Sequence, residues 1–457
     1  MRGGSHGMIS KITAEEIAEN IRSNNVQGLK DLKEKLNRVN PVDLAQVLDE
    51  LTDEQRLIAF RLLSKDNAAD TFVEMEQDSQ QKLIEGFTDN ELKQVLADVY
   101  ADDMADMLEE MPANVVERVL SKTDPQMRAD VNQLLQYPED SAGAVMTTEY
   151  VSLKEATKVS DAFNWIRKNG DDRKDLYTCY VTDPQKKLIG VVTVRDMLLC
   201  KKDVPVSDIM EKDIISVRTL DDKEDAAKLF DRYDLSALPV IDNEQRLVGI
   251  ITADDAIDVL QDENTEDFQK MAAIVPQEDT YFETSVWKHA KNRLPWLLIL
   301  MFSSIFTGMI IDKYEAAFTT MPVLVALMPM LSDTGGNCGS QTSTLVIRGM
   351  AVDEIKLKDF FRVFWKEFRI AIIVGACLAA ANGVRILIQY HNPVLAMIIA
   401  STLVFVVIAS KLMGCCLPML AKALHMDPAI MASPLLTTVV DVCSVWIYFS
   451  IATMLMK

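Results

Sequence analysis

The chain changes solvent near residue 290. Residues 1–287 carry 59 acidic against 33 basic side chains, whereas 288–457 carry 9 against 14 and are dominated by long apolar runs. Such a chain folds as a large anionic water-facing region joined to a polytopic membrane domain. Leu294 to Ile311 is an apolar run of eighteen residues, about the minimum for crossing a ~30 Å hydrocarbon core as a helix. Further spans are expected at 317–347, 370–389, 393–421 and 428–456. Five spans place the two ends of the domain on opposite faces. The 348–369 connection holds Arg348, Lys356, Lys358, Arg362, Lys366 and Arg369, whereas 312–316 and 390–392 hold only Lys313 as a basic residue. By the positive-inside rule the basic connection is cytoplasmic, which puts the acidic region in the cytosol and the C-terminus outside a cytoplasmic membrane.

Residues 1–7, before Met8, read as a cloning remnant, and nothing there reads as a signal peptide. The seven cysteines are scattered, which argues for packing roles rather than a disulfide framework.

Asp441 is the sharpest single residue. Counted from Pro428, it lies ~20 Å along the last span. A carboxylate there costs ~2.5–3.5 kcal/mol, so it is expected to face water or a cation, the alternative being a structural pair with Lys411 of the preceding span. A second unusual feature is the segment from Pro329 to Arg348, where Gly335, Gly336, Asn337, Gln341 and several hydroxyls interrupt an apolar run. Irregular backbone at membrane depth is tolerated where it lines a cavity, and a small-residue helix-packing motif is the competing reading. Pro434, followed by Thr437 and Thr438, is expected to break the last span similarly. Oxygen groups with a carboxylate, without a histidine or thiolate cluster, suit a hard cation such as magnesium. Symmetric pairing of two chains would bring two copies of Asp441 to one axis, able to hold a still-hydrated ion.

Upstream, Gly190 to Leu198 matches Gly249 to Ile257 at an offset of 59, and Val145-Met146 matches Ile209-Met210 at 64. Each copy reads as strand, helix, strand, turn, strand, helix. Residues 8–135 are helical throughout, with Asp43-L-A-Q-V-L48 and Asp103-M-A-D-M-L108 echoing each other and Asn67-A-A-D-T-F72 a looser copy. Short helices stacked as a solenoid are the natural reading. From Asp254 to Asp267 there are seven carboxylates and no basic residue, with Asp255, Asp258, Asp262 and Glu266 on one helical face. Like charges at that spacing repel, so the segment is read as a divalent-cation sensor rather than a merely solvated face.

The expected fold is therefore a multidomain membrane protein. An all-α superhelical domain at 8–135 precedes an α/β pair at 136–203 and 204–262; an acidic linking helix and connector at 254–293 lead to an all-α membrane domain of five helices at 294–457.

The order of acidic helical domain, tandem cystathionine-beta-synthase (CBS) modules with G-φ-φ-T-x-x-D, acidic helix and five spans with GGN-x-G-x-Q and P-x-x-T-T-x-x-D resembles the MgtE magnesium channel family over residues 8–457. The resemblance implies a homodimeric magnesium channel for uptake across the cytoplasmic membrane, its pore between the second and fifth spans of both chains. Asp441 would be the pore carboxylate, with Gly336, Asn337, Gln341, Ser433, Pro434, Thr437 and Thr438 around the path. The acidic helix would be a plug that closes the pore when cytosolic magnesium binds. Asp255, Asp258, Glu263, Glu266 and Asp267 match regulatory positions, with Glu224, Asp234, Asp102, Asp103 and Asp106 as further partners. CBS modules often bind adenine nucleotides; Asp196, with Arg195 beside it, stands like the ribose-binding aspartate, which points to ATP. Ser433, where some members have asparagine, Asp333 and Lys411 depart from the pattern.

A broader manganese or cobalt transporter and a CBS-regulated secondary transporter are the rival readings; the second is disfavoured because no inverted repeat is found among the spans. A CBS-regulated anion channel conflicts with a midplane aspartate. Enzyme readings lack a Walker-type P-loop, a nucleophile motif or HExxH, and no nucleic-acid partner is indicated.

Overall fold

The structure is a computed structural model. It describes residues 12–23, 26–109, 111–170, 173–277, 281, 284–314 and 321–456, the side chains of Asp66 and Ser433 excepted. The chain forms two compact units, 1–260 and 261–457.

In the first unit, eight successive helices begin at residues 41, 53, 65, 77, 89, 101, 113 and 125, one every twelve residues. Asn40, Thr88 and Asp124 cap three of them through side-chain oxygens, and Thr88 with Glu91 forms a capping box. Inward positions recur every second helix: Leu44, Ala68 and Leu92 are buried, as are Leu48, Phe72 and Leu96, and Leu51, Met75 and Val99. Helix Pro41–Asp49 packs on Lys65–Val73, that on Asp89–Leu96, and that on Ala113–Lys122. Arg56 and Gln80 occupy equivalent places and donate back to the carbonyls of Leu48 and Phe72 at 3.1 and 2.9 Å. This is solenoid architecture, in which each helical hairpin buries its apolar face only against its neighbours. The echoes at Asp43, Asn67 and Asp103 are whole multiples of the twelve-residue step, so Asp43 and Asp103 sit on alternate rather than equivalent helices.

The duplicated region forms two three-stranded sheets. In the first, β1 (Val151–Lys154) runs parallel to β2 (Thr178–Thr182), which pairs antiparallel with β3 (Leu188–Thr193). The second repeats this with β4 (Val217–Arg218), β5 (Ala237–Ile241) and β6 (Leu247–Thr252). Helices Val159–Asn169 and Lys223–Tyr233 supply the crossovers that parallel pairing demands.

The two copies exchange their leading segments. Thr147, ahead of the first sheet, makes reciprocal backbone bonds with Ile250 of the second at 2.7 and 2.9 Å, and Glu211, ahead of the second, does the same with Val191 of the first at 2.8 and 2.9 Å. The matched residues noted in sequence therefore meet crosswise: Met210 lies over Gly190 and Met146 over Gly249. A Cβ on Gly249 would stand 2.6 Å from Met146 Sδ and 2.8 Å from the Thr147 carbonyl.

Among the described residues, the membrane part of the second unit is built from five long helices. Four are long and apolar enough to cross a membrane: Val286–Lys313, Leu357–Tyr390, Pro393–Ala423 and Pro428–Leu455. The other, Val323–Ala351, is 29 residues long and carries the polar run. In chain order they are called the first to fifth long helices, Val323–Ala351 being the second. Residues 315–320, where the second span was expected to begin, lie outside the described residues. The third helix already runs from Phe360, so Arg362, Lys366 and Arg369 belong to its first turns rather than to the loop; long basic side chains permit this by reaching back to the interface. Tyr448, fully buried in the fifth helix, donates to the carbonyl of Leu324 at 3.0 Å.

Gly249→Ala is expected to destabilise the paired sheets by about 1–3 kcal/mol, because one contact is backbone and cannot swing aside. Thermal unfolding of the purified full-length protein checks this; an unchanged transition would mean that the crosswise contact is loose.

Candidate functional site

The second long helix is continuous from Val323 to Ala351, so the expected break at Gly335, Gly336 and Asn337 is corrected: the backbone there is helical and its carbonyls are not released. The glycines serve close approach instead. A Cβ on Gly335 would stand 2.8 Å from Val406 Cγ1 and 2.9 Å from Ser444 Oγ, and one on Gly336 3.1 Å from Thr437 Cγ2. At the tightest point, a Cβ on Gly414 of the fourth helix would meet the Gly339 carbonyl at 2.5 Å. Small residues let three helices cross at distances that side chains forbid.

Opposite this packed face runs a polar stripe. Asp333, Asn337, Gln341, Thr344 and Arg348 are all exposed in the single chain, at helical steps of four and three, while Cys338, Gly339, Thr342 and Ser343 between them are buried. Beside the stripe, the Asp441 carboxylate of the fifth helix lies near the Ser332 hydroxyl and the Asp333 carboxylate of the second helix, the latter repelling it. Asp441, Thr437 and Thr438 are half-buried. Thr437 and Thr438 return their hydroxyls to the carbonyls of Pro434 and Leu435 at 2.9 and 2.7 Å. The break in the last span falls at Ala432, extended with ψ −159°, between a short 3-10 turn at Pro428–Met431 and the helix Ser433–Leu455, with Pro434 in the first helical turn. Ser343 donates to the carbonyl of Met431 at 3.3 Å, satisfying a group that this break releases. The α-helix starts at Ser433, and Asp441 lies ~12 Å along it. The Ser433 side chain lies outside the described residues.

Lys411 does not pair with Asp441, the alternative considered for that acid. Its Nζ donates to Thr342 Oγ1 at 3.1 Å and lies 3.8 Å from Glu367 Oε2, while Thr342 donates to Glu367 at 3.0 Å. Lys411 and Glu367 are only 5 % and 8 % exposed. This triad ties the second, third and fourth helices together from behind the polar stripe, which leaves Lys411 unavailable to Asp441. Glu367 was missed because it sits among Lys366, Phe368 and Arg369 and reads as part of a basic loop; its place on one helical face with Gly375 and Ala371, both buried, was the available signal.

The acidic positions separate into distinct settings. Lys174 lies between Asp102 at 2.5 Å, Asp255 at 3.1 Å and Asp103 at 3.5 Å. Burial alone would lower the Lys174 pKa, but the carboxylates of Asp102, Asp255 and Asp103 outweigh it and hold the ammonium above the ordinary lysine range. Burial and the Asp102 charge push Asp103 up, and burial likewise raises Asp255 against the pull of Lys174. Asp106 is exposed one turn beyond. Asp258 is exposed, and together with Asp70 it repels Glu74, whose carboxyl is raised first by burial and then by those two charges. In the second unit, Lys270 bridges Glu266 at 2.6 Å and Asp427 at 2.7 Å. Asp427 also caps the turn leading into the fifth helix through Ala429 N at 2.8 Å. Glu263 and Asp267 are half-buried on the same acidic helix. Glu224 pairs with Lys228 at 2.7 Å, and Asp234 is the exposed left-handed C-cap of its helix. Lys174, Lys270 and Asp427 were missed; no local pattern announces a long-range ion pair. Among the described residues, no three His, Cys, Asp or Glu side chains are grouped as a ready metal site.

In the CBS repeat the motif Thr-x-x-Asp is used twice. Thr193 caps a helix and bonds Asp196 at 2.5 Å, leaving Asp196 and Arg195 exposed; Thr252 bonds Asp255 at 2.5 Å.

An anionic solenoid, a CBS pair and a bundle of membrane helices with a polar face define a CBS-containing, multi-pass membrane transporter whose N-terminal domains are cytosolic. Family models match accordingly: the MgtE intracellular N domain at 39–140, the CBS domain at 142–202 and 206–262, and the MgtE divalent cation transporter domain at 328–451. The magnesium transporter MgtE of Thermus thermophilus is 34% identical over 93% of this chain and 95% of its own length. That of Bacillus subtilis is 33% identical over 93% and 94%. The crystal structure of the cytosolic domain of the Mg2+ channel MgtE in complex with ATP aligns with 54% of this chain and 99% of its own at 34% identity and a TM-score of 0.51. The chain belongs to the MgtE family of divalent cation transporters.

Breaking the buried triad by Lys411→Met is expected to cost about 3–5 kcal/mol by stranding Glu367, and Lys411→Met with Glu367→Leu to recover most of it. Thermal stability in detergent, followed by fluorescence-detected size exclusion, reads both; equal loss in the single and double variants would mean that the triad is not a coupled pair.

Proposed function

We propose that the protein is a magnesium-selective channel or transporter of the cytoplasmic membrane, mediating uptake and closing as cytosolic magnesium rises. One observation carries the reading: the stripe of Asp333, Asn337, Gln341 and Thr344, beside Asp441, is exposed in a single chain. Facing hydrocarbon, such a stripe would be costly, so it belongs against water or a second copy of itself. A homodimer with its axis along this stripe places two copies of Asp441 and of the Asn337 and Gln341 amides around one path. Oxygen groups at that spacing act on the outer water of a hydrated magnesium ion, which dehydrates reluctantly. Gly336, Pro434, Thr437 and Thr438 shape the wall, Ser433 lies on the same helix, and the C-terminus faces outward. The named relatives are magnesium transporters, which favours magnesium over manganese or cobalt.

Regulation rests on the acidic helix. At Asp258, Glu74 and Asp70 like charges crowd together, and a cytosolic cation relieves such repulsion. Glu263, Glu266 and Asp267 add further carboxylates on the same acidic helix, and Asp106, Glu224 and Asp234 are additional candidates for binding the ion. A nucleotide such as ATP would use the exposed Arg195 and Asp196 of the first CBS copy.

In proteoliposomes, Asp441→Asn is expected to lower magnesium flux about tenfold or more, a barrier change of ~1.4 kcal/mol, with dimer yield unchanged. Wild-type flux in a folded dimer would refute the pore assignment. Asp258→Asn with Glu74→Gln should weaken closure by magnesium over a range up to ~10 mM, read as open probability; unaltered magnesium dependence would move the sensor elsewhere.

A further inference from the structure

The acids expected to be brought together by a metal are already brought together by a lysine. Asp102 and Asp103 lie on the solenoid helix Ala101–Glu109, Asp255 on the acidic helix, and Lys174 on the segment before β2 of the first CBS copy. Three parts of the first unit thus converge on one ammonium, whose side chain is 12 % exposed against 5 % for Asp102. Lys174 is held from behind: its own N–H donates to the Glu149 carbonyl at 3.1 Å, and its Nζ lies 6.0 Å from the Tyr100 ring centre. The ammonium therefore takes the place that a bridging divalent ion would need, and the arrangement as it stands does not fit a metal there.

We propose that Lys174 is a resident counter-cation that holds the solenoid on the CBS pair without metal, so that magnesium acts on the remaining acids and closure needs less of it. The observation that extends this is Asp102 Oδ1, buried and without a hydrogen-bond partner among the described residues. Removing the lysine would leave that oxygen and the carboxylates of Asp103 and Asp255 uncompensated, and burial of unpaired charge drives separation or capture of a cation from solution. The cationic charge at this place is then a threshold setting: present in the side chain, it is independent of magnesium; absent, it must be supplied from the cytosol.

The regulatory half of this inference rests on closure by cytosolic magnesium, and the experiment separates the two. Hydrogen exchange of peptide 101–109, which carries Asp102 and Asp103 and leaves out the Asp258 and Glu74 pair, is followed in the full-length protein, in EDTA and in magnesium chloride at ~10 mM. Wild type is expected to exchange equally in both. Lys174→Met should exchange about tenfold faster or more in EDTA and recover in magnesium, with Lys174→Arg behaving as wild type. Wild-type exchange that itself accelerates tenfold in EDTA, or Lys174→Met exchange unchanged in EDTA, overturns the proposal. Strand 178–182 serves as the folding control; if Lys174→Met loses protection there, Asp102→Asn with Lys174→Met is read instead, since it removes the stranded charge. The magnesium midpoint for closure should rise several-fold in Lys174→Met. Magnesium-independent open probability in wild type would refute the gating reading while leaving the exchange result to decide the role of Lys174.

Discussion

The membrane unit depends on the absence of side chains where its second and fourth long helices cross. At Gly414 a single added carbon would press on the Gly339 carbonyl at 2.5 Å, and Gly335 similarly admits Val406 and Ser444. Lipid supplies little hydrophobic drive for helices to associate, so close van der Waals packing and interhelical hydrogen bonds carry the association. Once the glycine face is committed to packing, the helix has no choice about its other side. Asp333, Asn337 and Gln341 must turn away from the bundle, and the polar stripe is a consequence of the glycines behind it.

Charge is handled alike at three places in the two units, where an ammonium sits among the carboxylates of different elements. Lys411 answers Glu367 inside the helical bundle, Lys174 answers Asp102, Asp103 and Asp255 in the first unit, and Lys270 answers Glu266 and Asp427 in the second. The pairs do not gain much over an apolar core of equal volume, because desolvation of both partners offsets attraction. Their effect is positional. Each fixes which helices meet and in what register, since a misplaced partner leaves a buried charge alone.

Much of the architecture was legible because it is periodic. Solenoid helices show as recurring apolar positions, and the CBS duplication shows as Gly190 with Gly249 and Met146 with Met210. The twelve-residue step was harder to see, since only caps such as Asn40, Thr88 and Asp124 mark it and the intervening residues vary. Asp441 stood out because an acid within an apolar span violates the local pattern. Glu367 did not, because it lies among charged neighbours, and neither did Lys174, which stands in the charged run Asp171 to Asp175.

Sequence by itself determined the change of solvent near residue 290, the helical and CBS modules, the run of apolar helices and the presence of an acid in the last one. These follow from composition and spacing, which act locally and survive without knowledge of partners. Tertiary structure decided the rest. It turned the expected break at Gly335 and Gly336 into a continuous helix, decided against the alternative pairing of Lys411 with Asp441 by joining Lys411 to Glu367, and placed Lys174 among the acids. Those outcomes depend on which faces meet across tens or hundreds of residues. A glycine permits a bend or a crossing equally well until a neighbouring helix occupies the space, and a charge finds its partner only when the fold has removed the water around both.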